Sequence, residues 1–158
     1  MKYILILFIT LFTLLNAENN IKIIAFAQDT MSNDFRKAQV FEAKDAASKY
    51  KDIKFVYSDA KGQTSLLIKQ IEKFILDKVD VIIVGTNDAQ AVVPIISKAY
   101  EQGIGVIILD RGIDGTNYSS FINSDNIKIG KIGAEYLAKK LNGKGEILLF
   151  EGLQKADV

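Results

Sequence analysis

The stretch Val106–Arg111, with the sequence VIILDR, carries the clearest fold signal in the chain. Its four aliphatic residues, with Gly105 before them and Gly112 after the two charged residues, predict a strand buried on both faces. Such strands belong to parallel sheets, and ligands bind beyond the carboxyl ends of the strands in these sheets. We therefore expect Asp110 and Arg111 at a ligand-binding edge; a solvated turn after a strand is the alternative interpretation.

The composition is that of one globular domain. The chain has 158 residues, of which 49% are hydrophobic and 25% charged. A formal net charge of +1 gives no support for a nucleic acid or an anionic membrane as partner. The absence of Cys and His excludes cysteine nucleophiles, Ser-His relays, Cys/His zinc sites and haem ligation by these residues.

The N-terminus is typical of a secretory signal peptide. The apolar run at residues 4–15 has the length of a signal-peptide core and is short for a membrane span. A small residue, Ala17, precedes the polar Glu18. We expect residues 1–17 to be removed and the mature chain, from residue 18, to be exported. A first core strand or an uncleaved anchor are the alternatives.

Strand and helix patterns alternate along the rest of the chain. Strands are predicted at residues 21–27, 53–57, 79–84, 106–109 and 146–150, with an extended stretch at 118–122. Helices are predicted at 33–50, 63–78, 88–102 and from about 126 to 141. We expect Asn33 and Asp88 to cap the first and third helices. This order predicts an α/β fold, a three-layer parallel sheet with helices on both faces.

The last helix has an apolar stripe that we expect to pack on the sheet. Its members recur at helical spacing, namely Ile129, Ile132, Tyr136 and Leu137.

Several chemical motifs are absent. The turn after the first strand, Ala27–Thr30, lacks the Gly-x-Gly-x-x-Gly of dinucleotide sites, and no P-loop occurs. Asp110, Asp114 and Asn117 lack the spacing and closing Glu of a calcium loop. We expect no cofactor and no metal, and the lack of a nucleophile–base pair argues against an enzyme.

Polar and aromatic residues instead follow the predicted strands. They are Gln28, Asp29, Asn33, Phe35, Arg36, Asn87, Asp88, Asp110, Arg111, Asn123 and Asp125. Such a set suits a neutral polyhydroxylated ligand, because Arg donates to hydroxyls, Asp accepts from them, and an aromatic face covers a sugar ring. Phe35 lies off the packing stripe of its helix and can face a cleft. A surface Phe and a solvated Arg36 are the alternative, and Asp88, Asn123 and Asp125 are better interpreted as caps.

Three stretches resemble the periplasmic sugar-binding proteins of ATP-binding-cassette (ABC) importers, of the ribose- and galactofuranose-binding type with the type I periplasmic-binding fold. They are Asn33–Arg36, Val106–Arg111, and Asn123–Asn126 before the helix that contains Gly130–Gly133. The similarity runs in order from about residue 21 to 153. It implies that residues 18–158 form the N-terminal, Rossmann-like lobe of a two-lobed, hinged protein, so the chain looks truncated.

The resemblance also implies a binding site. Asp110 and Arg111 would bind sugar hydroxyls, with Asn33, Phe35 and Arg36 contributing from the first helix. Gln28, at the exit of the first strand, completes the expected set of ligand-binding residues. Arg36 stands where the ribose-binding type has a second aromatic residue, which favours the galactofuranose-like branch.

The expected function is periplasmic capture of a pentose, hexose or furanose for the permease of an ABC importer, by a monomer. The alternative is the sugar- or autoinducer-sensing input domain of a membrane histidine kinase or chemoreceptor. A sugar-responsive repressor would need a helix-turn-helix and a basic surface, and the sequence has neither.

Overall fold

Strands and helices alternate along residues 21–150, the part of the chain that this computed structural model describes. The elements are β1 Lys22–Gln28, α1 Asp34–Ser48, β2 Ile53–Asp59, α2 Thr64–Leu76, β3 Val81–Gly85, α3 Val93–Glu101, β4 Gly105–Leu109, β5 Ser120–Ile122 and α4 Asn126–Lys140. The signal peptide predicted at residues 1–17 lies outside the described residues. No helix within the described range has the length and apolarity needed to cross a membrane.

The strands form one parallel sheet in the order β2-β1-β3-β4-β5. The chain runs outward from β1 to β2 and then returns to β3 on the other side of β1. The strand order therefore reverses between β1 and β3, and open α/β sheets bind ligands at the carboxyl ends of strands around such a point. The predicted strand in VIILDR is confirmed as β4, and Asp110 is the first residue after it.

Helices cover both faces of the sheet, as predicted. α2 and α3 pack on one face, where Ala25 and Ala27 of β1 join a core that includes Leu67, Ile71, Ile82, Ile96, Val106 and Ile108. Phe26 points to the opposite face because side chains alternate along a strand, and it too is fully buried. On that face α1 packs against β1 and β2 and contributes the buried Val40.

α3 begins later than predicted. The sequence placed the helix start at Asp88, but the helix begins at Val93 and its N-cap is Val92. The carboxylate of Asp88 accepts the backbone N–H groups of Gln90 and Ala91 and closes a separate turn before the helix. The prediction that Asp88 caps this helix is therefore wrong, because its carboxylate caps the preceding turn.

The end of the described chain differs from two predictions. α4 forms, yet the stripe expected to pack on the sheet, Ile129, Ile132, Tyr136 and Leu137, is exposed. The strand predicted at residues 146–150 does not form. An apolar run becomes a strand only beside another strand that completes its hydrogen bonds, and an apolar helix face is buried only against a second surface. Residues 21–150 bring neither surface to these segments.

An acidic residue fixes the amino end of the sheet. The carboxylate of Asp80, just before β3, accepts from Lys22 Nζ at 2.8 Å and from the backbone N–H of Ile23 at 2.7 Å. The Lys22 hydrogen bond, followed by that of Ile23, lowers the pKa of Asp80 below its ordinary value of 3.8. Asp80 thus links β1 to β3, and the folded structure stabilises the charged form of its carboxyl group.

We expect Asp80→Asn to reduce the acid sensitivity of the fold. Because its pKa is lowered in the folded chain, the Asp80 carboxylate contributes stability that is fully present above its unfolded pKa. This stability is lost as the pH falls through the lowered value. Urea-unfolding midpoints at about pH 7 and about pH 3 should therefore differ less in the variant than in the parent chain.

Glu72→Gln is the matched control, since it removes a solvent-exposed ion pair with Lys98 of similar length, 3.1 Å. It should change the midpoints little. An Asp80→Asn variant with the acid sensitivity of the parent chain would show that this carboxylate does not couple to folding.

Candidate ligand-binding site

The first turn of α1 is set by Asn33. Its side-chain oxygen accepts the backbone N–H of Arg36 at 2.9 Å, which confirms Asn33 as the cap of this helix. Successive residues of a helix point about 100° apart. Phe35 therefore points outward and is 61% exposed, while Arg36 points inward and is 3% exposed.

Arg36 joins the ends of two strands. Its Nη1 lies 3.1 Å from the Asp110 carboxylate after β4, and its Nε lies 3.8 Å from the Asp29 carboxylate after β1. Arg111 Nη1 lies 3.8 Å from the second oxygen of Asp29. Asp29, Arg36, Asp110 and Arg111, called here the charge cluster, thus form a chain of alternating charges with a formal sum of zero.

Asp29 lies inside the charge cluster and is 2% exposed. Burial raises its pKa above the ordinary value of 3.8, against the opposing effects of Arg36, the Thr30 N–H and Arg111. Asp29 follows a predicted strand, but it is not among the residues expected to bind ligand. Its position directly after a buried strand is the same signal that identified Asp110.

Asp110 and Arg111 are the more accessible members of the charge cluster. Their side chains are 32% and 23% exposed, against 3% for Arg36 and Asp29. The backbone of Asp110 has φ +71°, in the left-handed region, and its N–H donates to the Ile122 carbonyl at 2.8 Å. A residue other than Gly is strained there, and such strain persists only where the surroundings enforce it.

The loop before α1 is held by a residue that the sequence analysis did not single out. One carboxylate oxygen of Asp59, the last residue of β2, accepts the backbone N–H groups of Met31 at 3.1 Å and Lys61 at 2.8 Å. It thereby joins the loop that leads to Asn33 to the exit of β2. The sequence signal for Asp59 is the same as for Asp29 and Asp110, namely an acidic residue at the exit of a predicted strand.

The structure brings together most of the residues expected to bind ligand. Arg36, Asp110 and Arg111 meet in the charge cluster, Asn33 caps the helix that supplies Arg36, and the ring of Phe35 lies 5.9 Å from the guanidinium carbon of Arg36.

Gln28 is the exception. Its side chain is fully buried behind Arg36 and donates to Gln39 at 3.2 Å, so it does not reach the accessible surface.

Within residues 21–150 no group of three acidic, His or Cys side chains could hold a metal ion. The accessible chemistry is that of carboxylate acceptors, guanidinium donors and one aromatic face.

The strain at Asp110 predicts that Gly is more stable than Ala at this position, which is the reverse of the usual order. Asp110→Gly and Asp110→Ala both remove the ion pair with Arg36, but only Gly adopts the left-handed backbone without strain. We expect Asp110→Gly to be about 1 kcal/mol more stable than Asp110→Ala in urea unfolding.

The same pair of substitutions at Arg111, which lacks a positive φ, is the control. There Gly should be less stable than Ala, because it gains more conformational entropy on unfolding. Equal stabilities of the two Asp110 variants would show that this backbone stores no strain.

Comparison with known proteins identifies the family of the chain. The family model described as "Periplasmic binding protein domain" matches residues 24–158. The D-ribose/D-allose-binding protein of Pseudomonas aeruginosa is 29% identical over 82% of this chain and 44% of its own length. The galactofuranose-binding protein YtfQ of Escherichia coli is 30% identical over 77% of this chain and 39% of its own length.

Solved structures show the same fold. An ABC transporter solute-binding protein from Bacillus halodurans with bound myo-inositol superposes with a TM-score of 0.82 and 30% identity, covering 89% of this chain and 49% of that protein. The fructose-binding periplasmic domain of a hybrid two-component system gives a TM-score of 0.73 and 31% identity, covering 78% and 41%. The chain thus spans less than half the length of these relatives. Because the family model covers most of its residues, the chain belongs to the periplasmic binding protein domain family.

Proposed function

We propose that this chain is the sugar-contacting lobe of a solute-binding protein that captures a small neutral sugar for the permease of an ABC importer. The observation that carries the proposal is the charge cluster at the carboxyl edge of the sheet. There Asp110 and Arg111 are partly accessible, and Phe35 presents an exposed ring 5.9 Å from the guanidinium carbon of Arg36. Similar proteins that bind ribose, galactofuranose and myo-inositol support this class of ligand.

The chemistry of recognition follows from these side chains. Asp110 accepts hydrogen bonds from ligand hydroxyls, and Arg111 and Arg36 donate to hydroxyl oxygens through their guanidinium groups. Phe35 covers the apolar C–H face of the ring. Because the formal charges of the charge cluster sum to zero, a neutral ligand leaves no unpaired charge behind, whereas a sugar acid or amino sugar brings one.

The other expected residues act indirectly in this proposal. Asn33 orients the first turn of α1, and Gln28, buried behind Arg36, contributes through its neighbours. The site needs no cofactor, and the protein works in the periplasm after export, with a membrane permease as its partner. Relatives named as import binding proteins support that cellular role.

A second function is supported by one specific similarity. The fructose-binding periplasmic domain of a hybrid two-component system is 31% identical to this chain, against 28% for a galactofuranose-binding protein, at TM-scores of 0.73 and 0.79. The same lobe can therefore serve as the sensory input of a membrane kinase. A kinase domain or membrane-spanning segment encoded in the same polypeptide would decide for sensing, and an adjacent permease gene would decide for transport.

A thermal-shift screen of the full-length gene product tests the proposed ligand class. We expect a pentose, hexose, furanose or inositol at about 100 times its Kd to raise Tm by about 5–10 °C. Asp110→Ala and Arg111→Ala should abolish this shift, because each removes an accessible hydrogen-bonding group of the site.

Lys98→Met is the matched control. It removes a charged side chain that pairs with Glu72 on the outer surface of α3, away from the carboxyl edge, so it should keep the full shift. A shift with amino acids and none with any sugar or polyol would refute the proposed function.

A further inference from the structure

Gln39 contacts Arg36, a member of the charge cluster. It belongs to none of the sequence motifs and is not one of the residues proposed to contact the ligand. It lies three residues after Arg36 on α1, so both side chains are on the same side of the helix. Arg36 Nη1 donates to Gln39 Oε1 at 3.3 Å, and Gln28 Nε2 donates to the same oxygen at 3.2 Å.

The direction of these hydrogen bonds is fixed by Arg36. A guanidinium only donates, so Gln39 must turn its carbonyl oxygen toward Arg36. That oxygen then accepts from the NH₂ group of Gln28. The remaining oxygen, Gln28 Oε1, is buried with no hydrogen-bond partner in the described structure.

Gly85, the last residue of β3, makes room for this arrangement. A Cβ at position 85 would overlap Gln28 Oε1, so any larger residue would force the Gln28 amide to move. Leaving a buried oxygen unpaired costs free energy, and such a cost at a site is commonly linked to function. Here the arrangement that leaves Gln28 Oε1 unpaired also directs one acceptor, Gln39 Oε1, toward Arg36.

Arg36 needs that acceptor because its other contacts do not fix the orientation of its guanidinium. Among residues 21–150, Asp110 at 3.1 Å is the one anionic partner within hydrogen-bond distance of the Arg36 guanidinium, since Asp29 is 3.8 Å away. A guanidinium held at a single anionic partner can pivot about that contact. Gln39 supplies a second contact at the same nitrogen, Nη1, whose NH₂ group can direct one N–H toward Gln39 Oε1 while it lies against Asp110.

We propose that Gln39 is a positioning residue that fixes the guanidinium of Arg36 against Asp110, with Gln28 and Gly85 keeping the Gln39 amide in place. The effect on ligand affinity rests on the proposed function, because it requires Arg36 to contact the sugar. The effect on the Arg36–Asp110 pair is independent of any ligand.

The ligand-independent test is a set of double-mutant cycles of unfolding with Arg36→Met and Asp110→Asn. The cycle is measured in the parent full-length chain and again with Gln39→Leu, Gln39→Glu or Gln70→Leu added. Gln39→Leu removes the acceptor, and its Arg36–Asp110 coupling should fall to less than half of the parent value. Gln39→Glu keeps an acceptor oxygen but adds a carboxylate that also pairs with Arg36, so the Arg36–Asp110 coupling should stay above half of the parent value.

Gln70→Leu is the matched control, because Gln70 is a partly buried glutamine of α2 that donates to the Asp59 carbonyl and does not contact Arg36. It should leave the coupling unchanged. Gln39→Met, of similar length, replaces Gln39→Leu if that variant does not fold. A coupling that stays at the parent value after loss of the acceptor overturns the inference.

The second readout is affinity for a sugar that the thermal-shift screen identifies. Gln39→Leu should weaken binding about tenfold, and Gln39→Glu should restore it to within about threefold of the parent chain. Equal losses in Gln39→Leu and Gln70→Leu would overturn positioning by Gln39. If no sugar binds the parent chain, the proposed function fails and the double-mutant cycles alone decide the role of Gln39.

Discussion

The ion pair between Arg36 and Asp110 connects parts of the chain that are far apart in sequence. Arg36 comes from the first turn of α1 and Asp110 from the end of β4, and their charged atoms are 3.1 Å apart. Arg36 is almost completely buried, and a buried guanidinium is stable only with paired charges and satisfied hydrogen bonds. Asp29, Asp110 and Gln39 meet that requirement, so the arrangement of the site follows from the burial of one cation.

The sheet makes this pairing possible. Because all five strands are parallel, the exits of β1, β3 and β4 lie at one edge, and the reversal of strand order leaves room there for α1 to enter. The cap at Asn33 then determines which side chain of the first turn points inward. Burial of Arg36 and exposure of Phe35 thus follow from helix geometry once the cap is fixed, giving an inner charged layer and an outer aromatic one.

Much of this could be predicted from the sequence, and particular residues show where prediction stops. The aliphatic run before Asp110 identified β4, and Asn33 identified the start of α1, because burial and capping leave local patterns. The partners of Arg36 leave no such local pattern in the sequence, because Asp29 and Gln39 meet it only after the chain folds. The apolar patterns at residues 129–137 and 146–150 were recognised, but whether they are buried depends on surfaces that local sequence does not encode.

A crystal structure of the full-length protein with its sugar is the most direct test of the central claim, that the charge cluster binds a neutral sugar at the carboxyl edge of the sheet. We expect ligand hydroxyl oxygens within about 2.7–3.2 Å of the Asp110 carboxylate and of the Arg111 or Arg36 guanidinium, with the sugar ring against Phe35. A sugar bound elsewhere, with the Arg36–Asp110 pair closed to it, would contradict the account.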